Sequence, residues 1–356
     1  PRLIPPPTRP MTTQTQLPLP KFFDPARVGD VWRVPYQQRA EEAKAWANKF
    51  GIPPAEQDPT RVCLLLVDVQ NTFCIPEFEL FVGGRSGMGA VEDNARLCEF
   101  IYRNLGRITT IAATMDTHTV MQVFHAEFWV DADGNNPAPM TMIHHQDVVE
   151  GNWMVNPGIA PNLTEKTYED LQAYALHYTQ ELDQRGKFPL TIWPYHSMLG
   201  GIGHALVSSV EEACFVHNMA RRSQTRFEVK GGNPLTENYS VLSPEVLKDE
   251  GGSAIAAKNE SFINTLLSYD NIIIAGQAKS HCVAWTISDL LSEIQARDPN
   301  LAQKVYLLED CTSAVVVPDV VDFTDQANET FQGFADAGMH LVQSTQPVEE
   351  WPGMGG

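Results

Sequence analysis

Four short runs constrain this chain more than any other feature. VCLLLVD (62–68), ITTIAATMD (108–116), NIIIAG (271–276) and KVYLLED (304–310) are apolar without alternation. A strand with one wet face alternates with period two, whereas a short run that is apolar throughout reads as a strand buried on both faces. FEVK (227–230) and MHLVQS (339–344) are two further strand candidates, and helical patterns cover 91–105, 204–222, 253–268, 282–297 and 319–337. Strands alternating with helices predict an α/β, three-layer sandwich with a mainly parallel, roughly six-stranded Rossmann-like sheet. In such sheets function gathers at the carboxyl ends of the strands. Asp68, Asp116, Lys230, the loop before Cys282 and Asp310 are expected there.

Around this body the sequence divides into three stretches. Residues 1–60 read as an N-terminal Pro-rich arm and helix, with seven prolines in 1–20 and an amphipathic pattern over 38–50 that stops at Gly51 and Pro53-Pro54. The domain proper runs over 61–345, interrupted at 131–190 by an insertion that carries a helical pattern over 168–184. Residues 346–356 form a C-terminal tail. The insertion is expected to act as lid, pocket wall or oligomer contact and to take no part in chemistry.

Charge and cysteine usage narrow the class. With 25 Lys+Arg against 44 Asp+Glu the net charge is −19, which argues against nucleic acid as a partner. No run of 18 apolar residues is present to span a membrane, and residues 1–20 lack the apolar core of a secretory signal. Six cysteines (63, 74, 98, 214, 282 and 311) are scattered without a CxxC, which reads as reduced thiols in a cytoplasmic compartment.

Cys282 is the sharpest chemical signal. It follows NIIIAG and the turn QAKSH and opens a helical pattern, where the helix dipole and unpaired N–H groups favour thiolate. The alternative is a buried structural thiol. Asp68, at the end of an apolar strand, is a candidate general base, or else a cap for the DVQNTF loop. Lys230 could steady a thiolate or an oxyanion, or simply be solvated.

Asp116 and His118 in MDTH can leave a strand end on the same side, and His125 and His196 supply further imidazoles. A carboxylate with two or three imidazoles suits zinc, iron or manganese, although isolated DxH triplets are common. The adjacent His144-His145 pair diverges and reads as solvent-facing or structural. GGRSGMG (83–89) starts too far after Asp68 for a dinucleotide fingerprint, and no GxxxxGK[ST] or GxSxG occurs.

Taken together, VDVQNTFC, MDTH, WPYH, a strand-end lysine before NPLTENYS, and GQAKSHCV resemble the isochorismatase-like cysteine hydrolases, in particular their nicotinamidase/pyrazinamidase branch. The resemblance covers 61 to about 344, apart from the insertion. It implies Asp68, Lys230 and Cys282 as a catalytic triad, and Asp116, His118 and His196 as ligands of a divalent metal, zinc first, with His125 as an additional one. It also implies Phe73 and Trp193 as a sandwich for an aromatic ring, Tyr239 and His281 as pocket residues, and a cis peptide at Ala278. The N–H groups of Ala278 and Cys282 would form the oxyanion hole.

Three departures stand out: Lys279-Ser280 replaces the usual Thr-Asp, Ser197 replaces a cysteine, and Thr117 replaces an aromatic residue. The implied activity is hydrolysis of a small pyridine carboxamide to acid and ammonia by a homo-oligomeric enzyme. Ureido, carbamoyl or maleamate-type substrates are the alternative within enzymes, and a non-catalytic binding protein is the alternative outside them.

Overall fold

The computed structural model describes residues 16–159, 163–185 and 188–354. Six strands form the central sheet: β1 Val62–Val67, β2 Thr110–Asp116, β3 Arg226–Lys230, β4 Asn271–Gly276, β5 Val305–Leu308 and β6 His340–Val342. Their order is β6-β5-β4-β1-β2-β3, and every neighbouring pair is parallel. The main helices are α1 Tyr36–Phe50, α2 Gly89–Arg103, α3 Tyr168–Arg185, α4 Ser208–Arg221, α5 Glu260–Leu267, α6 Ala284–Arg297 and α7 Thr324–Asp336.

The unalternating strands are buried on both faces, as their composition requires. Leu64 and Leu66 of β1 pack with Leu97 and Ile101 of α2 and Val210 of α4, whereas Cys63, Leu65 and Val67 face Phe262 of α5, Ile287 of α6 and Phe331 of α7. Each fully buried leucine contributes about 1.5–3 kcal/mol from burial, so the two layers fix the register of β1 from both sides. Gly276 closes this packing. A Cβ there would stand 2.1 Å from the Val67 carbonyl oxygen, and its φ of +122° is open only to glycine.

The strand order positions the site. The chain winds outward from β1 in one direction through β2 and β3, and in the other through β4, β5 and β6, so the order reverses between β1 and β4. A crevice opens at the carboxyl ends of strands where such a reversal occurs. Register aligns Val67 with Gly276 and Asp116 with Lys230, so four strand ends deliver their next residues to that crevice.

Two regions lie outside the alternation. Buried side chains drawn from the described residues between Val123 and Ile192, with Leu235 and Val246, form a third core, in which Trp129, Ile143, Leu171, Tyr174, Tyr178 and Ile192 are buried together. Paired two-residue strands, Trp129–Val130 with Met154–Val155 and Met142–Ile143 with Leu190–Thr191, tie its loops. The segment before β1 packs on the body: Leu17 N–H donates to the Arg103 carbonyl, and Arg39 of α1 pairs with buried Glu212 of α4 at 2.5 Å. Residues 1–15 of the Pro-rich stretch lie outside the described residues. Among the described residues no helix is long and apolar enough to cross a membrane.

Candidate active site

Three strand ends and one turn bring Asp68, Lys230 and Cys282 together. Asp68, the first residue after β1, is fully buried and adopts a φ of +47°, a left-handed conformation that aspartate tolerates better than most residues. Its Oδ1 accepts a hydrogen bond from Thr114 Oγ1 of β2 at 2.5 Å, and its Oδ2 is 2.9 Å from Lys230 Nζ. Lys230 Nζ also lies 3.7 Å from Cys282 Sγ, and it donates to Asp116 Oδ1 at 2.8 Å and to the Asn238 carbonyl at 2.9 Å. Cys282 is half-buried in a π-helical turn, Lys279–Val283, that leads into α6. The peptide joining Gln277 to Ala278 is cis.

Burial and charge set the protonation of this cluster. Burial raises the Asp68 carboxyl, against the pull of Lys230 and with a further push from Asp116. Burial also lifts the Cys282 thiol well above its ordinary value, with Lys230 opposing and the two aspartates reinforcing. Lys230 loses solvation, yet Asp116 and Asp68 hold it charged, well above an ordinary lysine. These shifts keep Cys282 as a thiol and Lys230 as a fixed cation beside it.

A second cluster shares Asp116. Its Oδ2 is 2.7 Å from His118 Nε2 and 3.3 Å from His196 Nε2, and the ligand atoms of these three buried residues lie within 4.8 Å of one another. His118 Nδ1 donates to the Gly231 carbonyl at 3.1 Å, and His196 Nδ1 donates to the Pro194 carbonyl at 2.7 Å. With Nδ1 directed at a backbone carbonyl, each ring points Nε2 at the carboxylate, the atom that a neutral imidazole offers to a metal. Burial lowers His196 from the usual imidazole value, which favours that neutral form. Three acceptors converging in a buried place, each oriented by a backbone partner, form a donor set that fits a divalent cation.

Gly231 is required by this geometry: its φ is +84°, and a Cβ there would stand 2.6 Å from His118 Cε1. His125 lies outside the trio. Its ring centroid is 5.8 Å from that of His118 and 6.0 Å from that of His196, its Nδ1 faces the Thr119 and Val120 carbonyls, and its buried Nε2 has no hydrogen-bond partner among the described residues.

The expected aromatic residues gather nearby. Phe73 lies 5.8 Å from His196, ring to ring. Trp193, Tyr239 and His281 form one group, with Trp193 6.5 Å from Tyr239 and 6.1 Å from His281. Phe188, which the motif reading does not single out, stacks on His281 at 4.7 Å with planes 8° apart, and it brings the insertion into contact with the residue before Cys282.

Other supporting residues are also absent from the motif reading. The Gln70 amide clamps the backbone of Asp116, donating to its carbonyl and accepting from its N–H, both at 2.8 Å. Gln122 Nε2 donates to the Gly231 carbonyl at 2.6 Å. Gln70 stands inside VDVQNTF and Gln122 close to MDTH, so proximity to a motif was the available signal. Glu237 stands inside NPLTENYS and Thr114 directly before MDTH, so both lay equally close to a motif.

No protein-family model matches the chain, and no curated protein matches it. Similar solved structures include a nicotinamidase/pyrazinamidase from Acinetobacter baumanii, at 16% identity over 81% of this chain and 99% of that one, with a TM-score of 0.48. A pyrazinamidase of Pyrococcus horikoshii in complex with zinc is 18% identical over 80% of this chain and 99% of that one, with a TM-score of 0.43. An N-carbamoylsarcosine amidase from Thermoplasma acidophilum is 13% identical over 81% and 98%, with a TM-score of 0.38. At such identities and scores, the functional reading stands on the site geometry.

Proposed function

We propose that this chain is a cysteine amidohydrolase that cleaves a small aromatic carboxamide, nicotinamide-like, to the acid and ammonia. The single observation that carries the reading is Lys230 Nζ, set within 2.9 Å of Asp68, 2.8 Å of Asp116 and 3.7 Å of Cys282 Sγ. A buried cation at the meeting point of a thiol, a general base and a metal-type trio is a self-consistent kit for acyl transfer.

In the proposed mechanism Asp68 takes the Cys282 proton as sulfur attacks the amide carbon. The carbon–sulfur bond forms, and the carbonyl electron pair moves to oxygen. The N–H groups of Ala278 and Cys282 are the expected donors to that oxyanion, with Lys230 nearby as fixed positive charge. The oxyanion then collapses, the carbon–nitrogen bond breaks, and Asp68 returns the proton so that ammonia departs. Water adds to the thioester, its proton passing to Asp68 and then to sulfur, which restores the thiol and frees the acid.

Asp116, His118 and His196 would hold a divalent ion, with zinc, iron and manganese all suited to the donors. When bound, that ion supplies a Lewis-acid anchor for a ring nitrogen. Phe73, Trp193, Tyr239 and His281 would bound the ring.

Ammonia release from a panel of nicotinamide, pyrazinamide, benzamide, N-carbamoyl and ureido compounds tests the reading. Turnover of the aromatic amides that disappears in Cys282→Ala is expected. Turnover confined to ureido or carbamoyl compounds would move the assignment to that class, and inertness toward the whole panel would overturn the enzymatic reading.

A further inference from the structure

Trp193 stands three residues before His196, and its indole Nε1 donates to Glu237 Oε1 at 2.7 Å. Glu237 is buried, with 7% of its surface exposed, and among the described residues no lysine, arginine or histidine pairs with it. Burying a carboxyl group is costly unless a partner satisfies its oxygen atoms. Burial, and then the neighbouring Glu245, push its carboxyl up to about 8, so at neutral pH it is held as an uncharged acid.

The segment carrying Glu237 is held by four hydrogen bonds, two of them from the insertion. Tyr174 Oη of α3 donates to the Leu235 carbonyl at 2.6 Å, and Tyr178 Oη of α3 accepts the Glu237 N–H at 3.2 Å. The Val246 N–H donates to Thr236 Oγ1 at 3.0 Å, and the Glu245 N–H donates to the Glu237 carbonyl at 2.8 Å. On the other side, the Trp193 N–H donates to the Phe124 carbonyl at 2.9 Å. With both backbones anchored, the indole–carboxyl bond is a directional tie on the Trp193 ring, which lies edge-on to Tyr239 (84°) and His281 (79°).

We propose that Glu237 is a positioning residue that fixes the plane of Trp193 as one wall of the ring subsite, and that α3 of the insertion is its support. The ring-subsite part rests on the proposed amidohydrolase function; the pose of Trp193 does not. The insertion then serves the pocket by holding a wall, with α3 two hydrogen bonds removed from Trp193.

The test compares Glu237→Leu, Glu237→Gln and Tyr178→Phe with the full-length chain. One measurement is Trp193 fluorescence, isolated by subtracting the spectrum of Trp193→Phe, and the other is the kinetics of nicotinamide hydrolysis. Glu237→Leu removes the acceptor and is expected to change the Trp193 emission and raise KM about tenfold, with kcat held within about threefold. Glu237→Gln keeps an amide oxygen for the indole and should restore both readouts to within about twofold of the native chain.

Should Glu237→Leu fail to fold, Tyr178→Phe is expected to move both readouts in the same direction by about two- to fourfold. An unchanged Trp193 signal in folded Glu237→Leu or, failing that, in Tyr178→Phe would overturn the proposal. So would a Glu237→Gln variant as impaired as Glu237→Leu. A native chain that releases no ammonia would defeat the amidohydrolase reading alone, and the Trp193 fluorescence would still decide the positioning role.

Discussion

Lys230 and Asp116 form a buried ion pair, Nζ to Oδ1 at 2.8 Å, which joins the Cys282 cluster to the histidine cluster. Their strands are adjacent and the two residues stand directly opposite in register, so the pair follows from the sheet itself. Because Lys230 also reaches Asp68, one cation offsets two buried carboxylates at 2.8 and 2.9 Å.

Replacing that lysine should therefore damage stability as well as any activity. Lys230→Met keeps the stem but leaves Asp68 and Asp116 buried without their shared cation, and removing one partner of a buried pair costs about 3–5 kcal/mol. Urea unfolding at neutral pH should show a loss of that order. A variant as stable as the native chain would mean that the carboxylates find another partner.

Cys282→Ala should abolish turnover in a folded protein, because the proposed chemistry has no second nucleophile. Asp68→Asn should lower the rate about 10²–10⁴-fold, the span usual for loss of a general base. Steady-state kinetics on nicotinamide, with circular dichroism as the folding control, checks both. An Asp68→Asn rate within a few-fold of native would leave Asp68 a structural role.

Glu237 makes a signed prediction about pH. Its folded pKa is pushed up to about 8, from an ordinary 4.5, by burial and by Glu245. Between those values the native chain keeps a proton that the unfolded chain releases, so this group's contribution to stability falls as pH rises through that window. Glutamine cannot titrate and escapes the loss. The stability of Glu237→Gln relative to the native chain should therefore climb from pH 5 to pH 8 and level off above. A difference that stays flat across urea titrations at those pH values would contradict the raised carboxyl.

Much of this architecture was legible because strand ends announce themselves. The runs ending at Asp68, Asp116 and Gly276 are apolar enough to be read as two-faced strands, and a parallel sheet must place their carboxyl ends along one edge. The contribution of Thr114 was hidden, since a threonine inside ITTIAATMD looks like any β-branched strand residue until its neighbour's carboxylate is seen beside it. Glu237 and Phe188 were hidden for another reason. Their partners, Trp193 and His281, are 44 and 93 residues away in the chain, and short-range pattern carries no information over such separations. The role of α3 was equally out of reach, because a helical period shows that a face is buried but not which loop its tyrosine hydroxyls hold.

The trio of Asp116, His118 and His196 leads to the prediction that best separates substrate classes. Both histidines spend Nδ1 on a backbone carbonyl and turn Nε2 toward the same carboxylate oxygen, so three ligand atoms suited to a cation converge on one place. Purified protein dialysed against zinc is expected to bind one ion per chain, and His118→Ala or His196→Ala should weaken that binding about 10–100-fold or more, judged by calorimetry with zinc alone. Chelation should leave the alkylation of Cys282 by iodoacetamide nearly unchanged, because the thiol's own partners are Lys230 and Asp68. The informative comparison is nicotinamide against benzamide, which differ only in the ring nitrogen that a Lewis acid could hold. Native protein loaded with zinc should prefer nicotinamide, and stripping the ion should erase that preference while sparing benzamide. Equal loss on both substrates would show that the ion serves the fold or the nucleophile, and a chain that binds no zinc would leave the three residues as a hydrogen-bonded structural group.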